Sequence, residues 1–391
     1  MSPTASSLSI MPSRSITRLS SRSNYICQAC QSSKPKSVAR RLYSTSSSGL
    51  PPSVSSSAYA HLPTRRLISL SGPDSAHFLQ GVITSNISTA TPRLTGFYSA
   101  FLNAQGRLLN DVFIYPTGKD GTSWLIEVDA KEAEKLSKHI KRYKLRAKFV
   151  VKLLDEGEMN VWSCWRKEEW KKHSMVSESG EPRDGDISCD DTRAPGMGRR
   201  LILPAGLKPE EEGLEESDEL AYRIRRYMKG VPEGQDELIR EHALPQESNI
   251  DYMGGVDYRK GCYVGQELTI RTHHTGVVRK RILPVMLYGK DEPVPETLEY
   301  SAHNLASGIP PETSIGRFEK RGRSAGKWLA GVGNVGLGLC RLEIMTDTLV
   351  HGEPSSYKKG DEFKLEWTGD TGADANMVKV KAFVPSWHLT K

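Results

Sequence analysis

The order of helix-like and strand-like segments between residues 65 and 154 limits the fold more than any other feature of the sequence. The run RRLISL at 65–70 predicts a strand, and GPDSAHFLQG shortly after it predicts a short helix. Three strand-like runs separated by turn residues follow at 96–129, and AKEAEKLSKHIKRYKLR at 130–146 has apolar residues at helical spacing. Because strands and helices mix without strict alternation, the sequence predicts an α+β fold and not a doubly wound parallel sheet.

The remainder of the chain adds one more helix and then changes character. The run ELAYRIRRYMK predicts a helix over 219–229, with Gly230 as its C-cap and Pro232 just beyond. After residue 275, three strand-like runs follow with no convincing helix between them, so 276–391 is predicted to be all-β. Stretches poor in core-forming residues are predicted to be surface loops, at about 166–190, 206–218 and 290–325.

The first 43 residues differ in charge from the rest of the chain. No Asp or Glu occurs before Asp74, whereas residues 1–43 contain seven basic residues among many serines. That composition is typical of a transit peptide for the mitochondrial matrix, and a disordered basic tail is the alternative. Residues 44–60 are predicted to be a flexible lead-in, and the folded part is predicted to begin near His61.

Removal of the basic leader changes the charge balance and the function classes it allows. The number of Lys and Arg falls from 54 to 47, which equals the 47 Asp and Glu. The composition therefore gives no support to a nucleic-acid surface. No run of about 18 apolar residues occurs, so no membrane span is predicted.

Six cysteines are present, and their spacing argues against a disulfide framework. Cys27 and Cys30 lie in the basic leader, where a lone CxxC is weak support for metal or redox chemistry. The other four are scattered along a chain predicted to enter a reducing compartment. Cys164 and Cys340 lie in apolar strand-like runs and are predicted to be core residues, whereas the sequence assigns no role to Cys189.

Cys262 differs from these because it lies in KGCYVGQEL at 260–268, between two glycines. The residues alone leave three roles open: a nucleophile, a metal ligand, or a small side chain packed in a turn. A nucleophile needs a base, and His273 and His274 have no recognised catalytic spacing to it. If those two histidines lie on a strand, they point to opposite faces, so at most one of them shares a site with Cys262.

Several segments together resemble a known family. LISLSGPDSAHFLQGVITSNI, YSAFLNAQGRLLNDVFIY, DTRAPGMGRRLILP and LPQESNIDYMGGVDYRKGCYVGQE occur in the order found in the YgfZ/GcvT-like folate-binding proteins. The most specific element is KGCYVGQE, which matches the family signature. The resemblance implies two intertwined α+β domains over 61–275 and a C-terminal β-barrel over 276–391, around a central funnel that holds a tetrahydrofolate-like molecule in relatives.

The resemblance also implies candidate residues for such a ligand. A pterin edge suits carboxylates and amides, and an anionic tail suits a guanidinium. The matching positions are Arg107, Asn110, Asp111, Glu233, Glu247 and Asn249. The glycine-cleavage aminomethyltransferases have an adjacent aspartate pair where this chain has Asn110 and Asp111. Because an amide cannot take a proton as a carboxylate does, this substitution argues against aminomethyl transfer.

With the basic leader, the chain resembles the mitochondrial iron-sulphur cluster assembly branch of the family. This implies a factor, monomeric when alone, that acts with an A-type carrier protein in maturing 4Fe-4S proteins such as aconitase and lipoyl synthase. A single cysteine cannot hold a cluster that takes about four ligands, so Cys262 is predicted to donate one ligand to a shared 2Fe-2S cluster. The alternatives are a tetrahydrofolate-dependent aminomethyltransferase-like enzyme and a folate-binding module without cluster chemistry.

Overall fold

The computed structural model describes residues 55–87, 93–118, 120–167, 187–318, 322–350, 355–368 and 375–389. The predicted transit peptide at 1–43 lies outside these residues, as does most of the predicted lead-in. The central part of the predicted loop at 166–190 also lies outside them.

Two five-stranded sheets form the α+β part of the molecule. Sheet I contains, in spatial order, β10 (Glu215–Ser217), β1 (Ala58–His61), β7 (Met159–Trp165), β9 (Arg199–Pro204) and β8 (Ile187–Asp190). Sheet II contains β3 (Phe97–Leu102), β4 (Leu108–Pro116), β5 (Ser123–Asp129), β2 (Arg65–Ser71) and β6 (Val150–Leu153). The chain starts in sheet I, builds all of sheet II and returns to sheet I at β7, which confirms the intertwined α+β architecture.

The directions of the strands show that the fold is not a doubly wound parallel sheet. Within the described residues, β1 and β10 form the one parallel strand pair, and the other strand pairs of both sheets are antiparallel. Antiparallel strands need only short connections, so the sequence has no helix after each strand.

Three helices support these sheets: α1 (Ser75–Val82), α2 (Ala133–Tyr143) and α3 (Glu219–Lys229). Helices α1 and α2 bury Leu79, Leu136 and Ile140 in one core with the strands of sheet II. The predicted bounds of α3 are confirmed. Its first turn is capped by the Asp218 carboxylate, which accepts a 2.9 Å hydrogen bond from the Ala221 N–H, and Gly230 ends it with φ of 71°.

The C-terminal part is a closed six-stranded barrel, which confirms the predicted all-β architecture. Around the barrel the strands follow the order β11, β14, β13, β12, β15, β16. Their bounds are β11 (Lys280–Tyr288), β12 (Ser314–Arg317), β13 (Gly326–Val332), β14 (Val335–Arg341), β15 (Phe363–Thr368) and β16 (Ala375–Ala382). A single helical turn, α5 (Leu342–Met345), and a 3-10 turn at Ser386–His388 follow strands of this part, where no helix was expected.

Several predicted loops contain short strands instead. β1 begins at Ala58 within the predicted lead-in, and its buried alanines pair with β7. The stretches predicted as surface loops contain β8, β10 and β12. These strands have three or four residues each and few apolar side chains, so they carry no alternating pattern that a sequence can show.

The helix α4 (Gln266–Thr275) corrects a further expectation, because it contains the two histidines that were placed on a strand. Thr269 is its one fully buried residue, so its apolar periodicity is weak. No helix in the described part of the chain is long and apolar enough to cross a membrane.

The barrel is joined to the α+β part through α3 and the segment before α4. The Trp387 indole N–H donates to the Lys229 carbonyl at 3.0 Å. Asn249 donates from its amide nitrogen to the Ile282 carbonyl of β11 at 2.7 Å, and Arg281 forms a bidentate ion pair with Asp251 at 2.9 and 3.0 Å. These contacts place the segment 244–265 and α4 at the junction of the two parts.

Candidate functional site

Cys262 lies in the loop that leads into α4, and its side chain is exposed. The other three cysteines within the described residues are buried, which confirms the prediction for Cys164 and Cys340. Burial raises the pKa of the Cys164 thiol to about 12 and raises the pKa values of Cys189 and Cys340 as well. Among these four, Cys262 alone can therefore offer a thiolate to a molecule outside the protein.

The ammonium group of Lys260 fixes the loop two residues before the cysteine. Its three N–H donors meet three backbone carbonyls at the end of α1 and just beyond, those of Gln80 at 2.7 Å, Ile83 at 2.6 Å and Ser85 at 2.9 Å. Burial lowers the pKa of Lys260 to about 7, although Asp257 opposes the shift. The three carbonyl acceptors match the donor count of the charged ammonium and favour that form.

Backbone contacts fix the other side of the loop. The Val264 N–H donates to the Gly81 carbonyl at 3.0 Å, and the Tyr263 N–H donates to the Gln266 side-chain oxygen at 3.1 Å. Gly265 has φ of 80°, and a Cβ there would collide with the Asn103 carbonyl. This position therefore needs glycine both for its dihedral angle and for the close approach.

His273 and His274 lie in the last turn of α4. The His273 ring stacks on Tyr258 with centroids 3.7 Å apart. Both histidines line an open cavity of about 800 Å³ together with Arg93 and Arg259.

Two of the predicted folate-binding residues lie in a buried group of charges between sheets I and II. We call this group the interior ion-pair network; it comprises Arg65, Asp111, Glu127, Asp191, Arg193, Arg200 and Glu233. Asp111 accepts from Arg65 at 3.3 Å and from the Gly234 N–H at 3.1 Å. Glu233 bonds to Arg200, lies 2.8 Å from Arg193 and accepts from the Tyr222 hydroxyl at 2.7 Å.

The pKa directions of the two carboxyls differ because their cation contacts differ. Burial raises the pKa of Asp111, and Arg65 offsets only part of that shift. For Glu233, burial also acts to raise the pKa, but Arg200, Arg193, Arg65 and Arg226 together hold it well below its usual range. Glu233 is therefore a fixed negative charge inside the protein.

The other four predicted residues lie elsewhere. Asn110 is buried and accepts from Arg240 at 2.9 Å, while its amide nitrogen has no acceptor among the described residues. Arg107 is exposed and donates to the His242 carbonyl at 2.7 Å. Asn249 bonds to β11 as described above, and Glu247 lies 3.5 Å from the Lys280 ammonium. Asp111 and Glu233 thus share the interior ion-pair network, whereas the contacts of the other four residues lie outside it.

These contacts decide whether the residues fit a folate. The side chain of Asp111 has no exposed surface and that of Glu233 is 5% exposed, and protein groups occupy both. A pterin edge could reach them only if ion pairs broke first, so the residues as arranged do not fit the ligand. Folate binding stays a prediction.

Sequence reasoning missed Lys260 and the buried arginines. Lys260 lies within KGCYVGQEL, and Arg193 and Arg200 lie within DTRAPGMGRR, but neither motif predicts a role for these side chains. Arg193 pairs with Asp191 two residues away, but its other carboxylate partner, Glu233, and the Glu127 and Glu233 partners of Arg200 come from distant segments, so the local sequence gives no signal that these arginines are buried. Within the described ranges, no group of three or more His, Cys, Asp or Glu side chains is placed to hold a metal ion.

Comparisons with known proteins agree with this architecture. A family model described as the CAF17 C-terminal beta-barrel domain matches residues 279–389. A protein of Pyricularia oryzae named iron-sulfur cluster assembly factor IBA57 homolog, mitochondrial, is 55% identical over 337 residues, which cover 84% of each chain. A Neosartorya fischeri protein of the same name is 47% identical over 93% of this chain and 90% of its own.

A solved structure shows the same fold at low sequence similarity. The glycine cleavage system aminomethyltransferase T from Bartonella henselae superposes with a TM-score of 0.59 at 12% identity. The match covers 85% of this chain and 86% of the aminomethyltransferase. At this identity the likeness establishes the fold and not the activity.

Proposed function

The chain belongs to the IBA57 family of mitochondrial iron-sulfur cluster assembly factors, and from this premise we propose that it acts with an A-type carrier protein through a shared 2Fe-2S cluster. Its location is mitochondrial and its role is iron-sulfur cluster assembly. The finer proposal places it in the matrix, where it helps mature 4Fe-4S proteins such as aconitase and lipoyl synthase.

The exposure of Cys262 on a fixed loop carries this proposal. A thiolate is a ligand that iron-sulfur clusters accept, and a 2Fe-2S cluster takes about four such ligands. Within the described residues the loop offers one, so a second protein must supply the others. The cluster is then cargo held between two proteins, and Cys262 is the contribution of this chain.

A mixing experiment tests the shared cluster. The full chain is mixed anaerobically with a 2Fe-2S-loaded A-type carrier and separated by gel filtration, with absorption spectra and iron analysis on each peak. We expect the wild type to elute as a coloured complex and the Cys262→Ala variant to elute colourless. Cys164→Ala is the matched control, because its thiol is buried and it should behave as wild type. A coloured complex with Cys262→Ala would refute the assignment of the ligand.

Aminomethyl transfer has weaker support. The fold is that of an aminomethyltransferase, but Asn110 cannot accept a proton and Asp111 is bound to Arg65 and to the Gly234 N–H. In this arrangement, neither side chain is accessible to a reacting nitrogen atom of a substrate.

A further inference from the structure

A second cavity lies at the junction of α4 and the barrel. Its volume is about 330 Å³, and Leu268 and Thr272 of α4 form part of its lining. Residues 277–280, which lead into β11, form another part, and Arg323 and Arg341 contribute from the barrel. We call this cavity the basic groove.

Positive charge dominates the lining of the basic groove. Four cationic side chains face one carboxylate, that of Glu247; the cations are Arg279, Lys280, Arg323 and Arg341. Glu247 lies 3.5 Å from Lys280, and Arg341 donates to the Ser324 carbonyl at 3.0 Å and lies 4.0 Å from Glu343, which does not line the groove. Arg323 is exposed and has no ion-pair partner within the described residues. A concave surface with an excess of one charge concentrates the field and attracts groups of opposite sign.

The groove is close enough to Cys262 that one partner protein can contact both. Gly265, the N-cap of α4, lies three residues after Cys262, and Leu268 lies three residues further along the helix, so the Cα atoms of Cys262 and Leu268 are at most about 15 Å apart. A stable protein interface buries about 800 Å² on each partner, which corresponds to a disc about 16 Å in radius. A protein that shares a cluster with Cys262 therefore covers the near edge of the groove.

The exposed surface of α4 and of the residues that flank it also suits a protein partner. Val264 and Val277 have exposed fractions of 43% and 40%, so each end of α4 carries an exposed apolar side chain. Glu267, Arg271 and His274 recur at helical spacing on exposed positions of α4. Apolar contacts beside charged groups are the usual composition of a non-obligate interface.

We propose that the basic groove docks an acidic segment of the protein that presents the cluster to Cys262. The inference rests on the proposed function, since it names the surface that the cluster-bearing partner uses. Carboxylates of the partner pair with Arg323 and Arg279, while its cluster meets the thiolate at the other end of the surface. The groove sets affinity and orientation, and Cys262 holds the metal.

Binding measurements on charge-reversed variants test this proposal. The affinity of the full chain for the A-type carrier, both cluster-free and 2Fe-2S-loaded, is measured by fluorescence anisotropy with a labelled carrier. We expect Arg323→Glu and Arg279→Glu each to weaken binding about five-fold, and Lys141→Glu on α2 to leave it unchanged. Raising sodium chloride from about 50 to about 250 mM should weaken wild-type binding and have less effect on the two groove variants.

The colour of the complex and the binding affinity together distinguish a failure of the groove proposal from a failure of the shared-cluster proposal. If the groove variants bind as tightly as Lys141→Glu while wild type forms the coloured complex, the groove proposal is wrong and the shared cluster stands. If wild type binds the carrier without colour and the groove variants still bind more weakly, the groove stands and the shared cluster is wrong. If wild type binds neither form of the carrier, both are wrong.

Discussion

Lys260 is the residue that most directly connects the fold to Cys262. Its ammonium group ties the cysteine loop to the end of α1 through three carbonyl hydrogen bonds, all made by one side chain. A helix C-terminus carries a partial negative charge, so a cation there is favoured by the helix dipole as well. The position of Cys262 thus depends on a residue whose side chain bonds to the end of α1.

The variant Lys260→Met tests whether Lys260 positions the loop, because it leaves the Cys262 side chain itself unchanged. Methionine keeps much of the apolar stem but removes three charge-assisted donors, so we expect the unfolding free energy to fall by about 1–3 kcal/mol. We also expect less coloured complex with the loaded carrier at equal protein concentration, because the loop no longer holds Cys262 in place. Urea unfolding and gel filtration measure the two effects, with Lys359→Met on an exposed barrel loop as the control. A full yield of complex from the variant would contradict the positioning role.

At the scale of elements, the sequence predicts best those segments whose signals are local. The bounds of α3 follow from residues inside and beside it: helical spacing of apolar residues and Gly230 as the stop. Helix α4 was missed because one buried threonine gives no periodicity, and β12 was missed because one buried isoleucine gives no alternation. These elements are set by packing against distant segments, which a single sequence does not display.

Two glycines in and beside the helices should respond oppositely to the same substitution. Gly230 ends α3 with φ of 71°, and a Cβ there would lie 2.7 Å from the Pro284 ring of β11. We expect Gly230→Ala to lower the unfolding free energy by about 1–3 kcal/mol, from backbone strain and from the clash with the barrel. Gly81 lies within α1 with no atom within 4 Å of its Cβ position, so Gly81→Ala should raise stability by about 0.5–1 kcal/mol. Chemical denaturation of both variants measures the sign of each change in unfolding free energy. If the two substitutions changed the unfolding free energy equally, α3 would not need its left-handed cap.

At the scale of the whole molecule, the interior ion-pair network joins the two sheets of the α+β part, and the sequence did not reveal it. The signature KGCYVGQE identified the cysteine loop, since its residues are contiguous. The network instead joins β2, β4 and β5 of sheet II to β9 of sheet I and to the loop at Glu233. Its ion pairs join residues up to 73 positions apart, so local composition cannot predict that Asp111 and Glu233 each bond to an arginine within the protein. The resemblance implied an open funnel near these two residues, whereas here protein groups contact both carboxylates.

The network predicts how stability depends on pH. The pKa of Glu233 is held well below its usual range, and that of Asp191 is also lowered, by Arg193 and Arg200 against the effect of burial. A carboxyl with a lowered pKa stabilises the folded state above its unfolded pKa, and this stabilisation is lost as the pH falls. Asp111 acts in the opposite direction because its pKa is raised. Two carboxyls with lowered pKa values outweigh one with a raised value, so acidification destabilises the folded state. We therefore expect the unfolding free energy to fall as the pH is lowered from about 5 to about 3.

Replacing Glu233 tests the origin of that loss. Glu233→Gln leaves Arg193 and Arg200 with one buried anion fewer, so we expect the unfolding free energy at neutral pH to fall by about 3–5 kcal/mol. The fall between pH 5 and pH 3 should then be smaller than in wild type, because the group whose protonation caused much of it is gone. Glu134→Gln, at an exposed α2 ion pair, should change stability by less than about 0.5 kcal/mol and keep the wild-type pH profile. Urea unfolding across that pH range measures both quantities. An unchanged acid profile in Glu233→Gln would mean that other carboxyls set the pH dependence, and an unchanged stability at neutral pH would mean that Glu233 does not stabilise the contact between the two sheets.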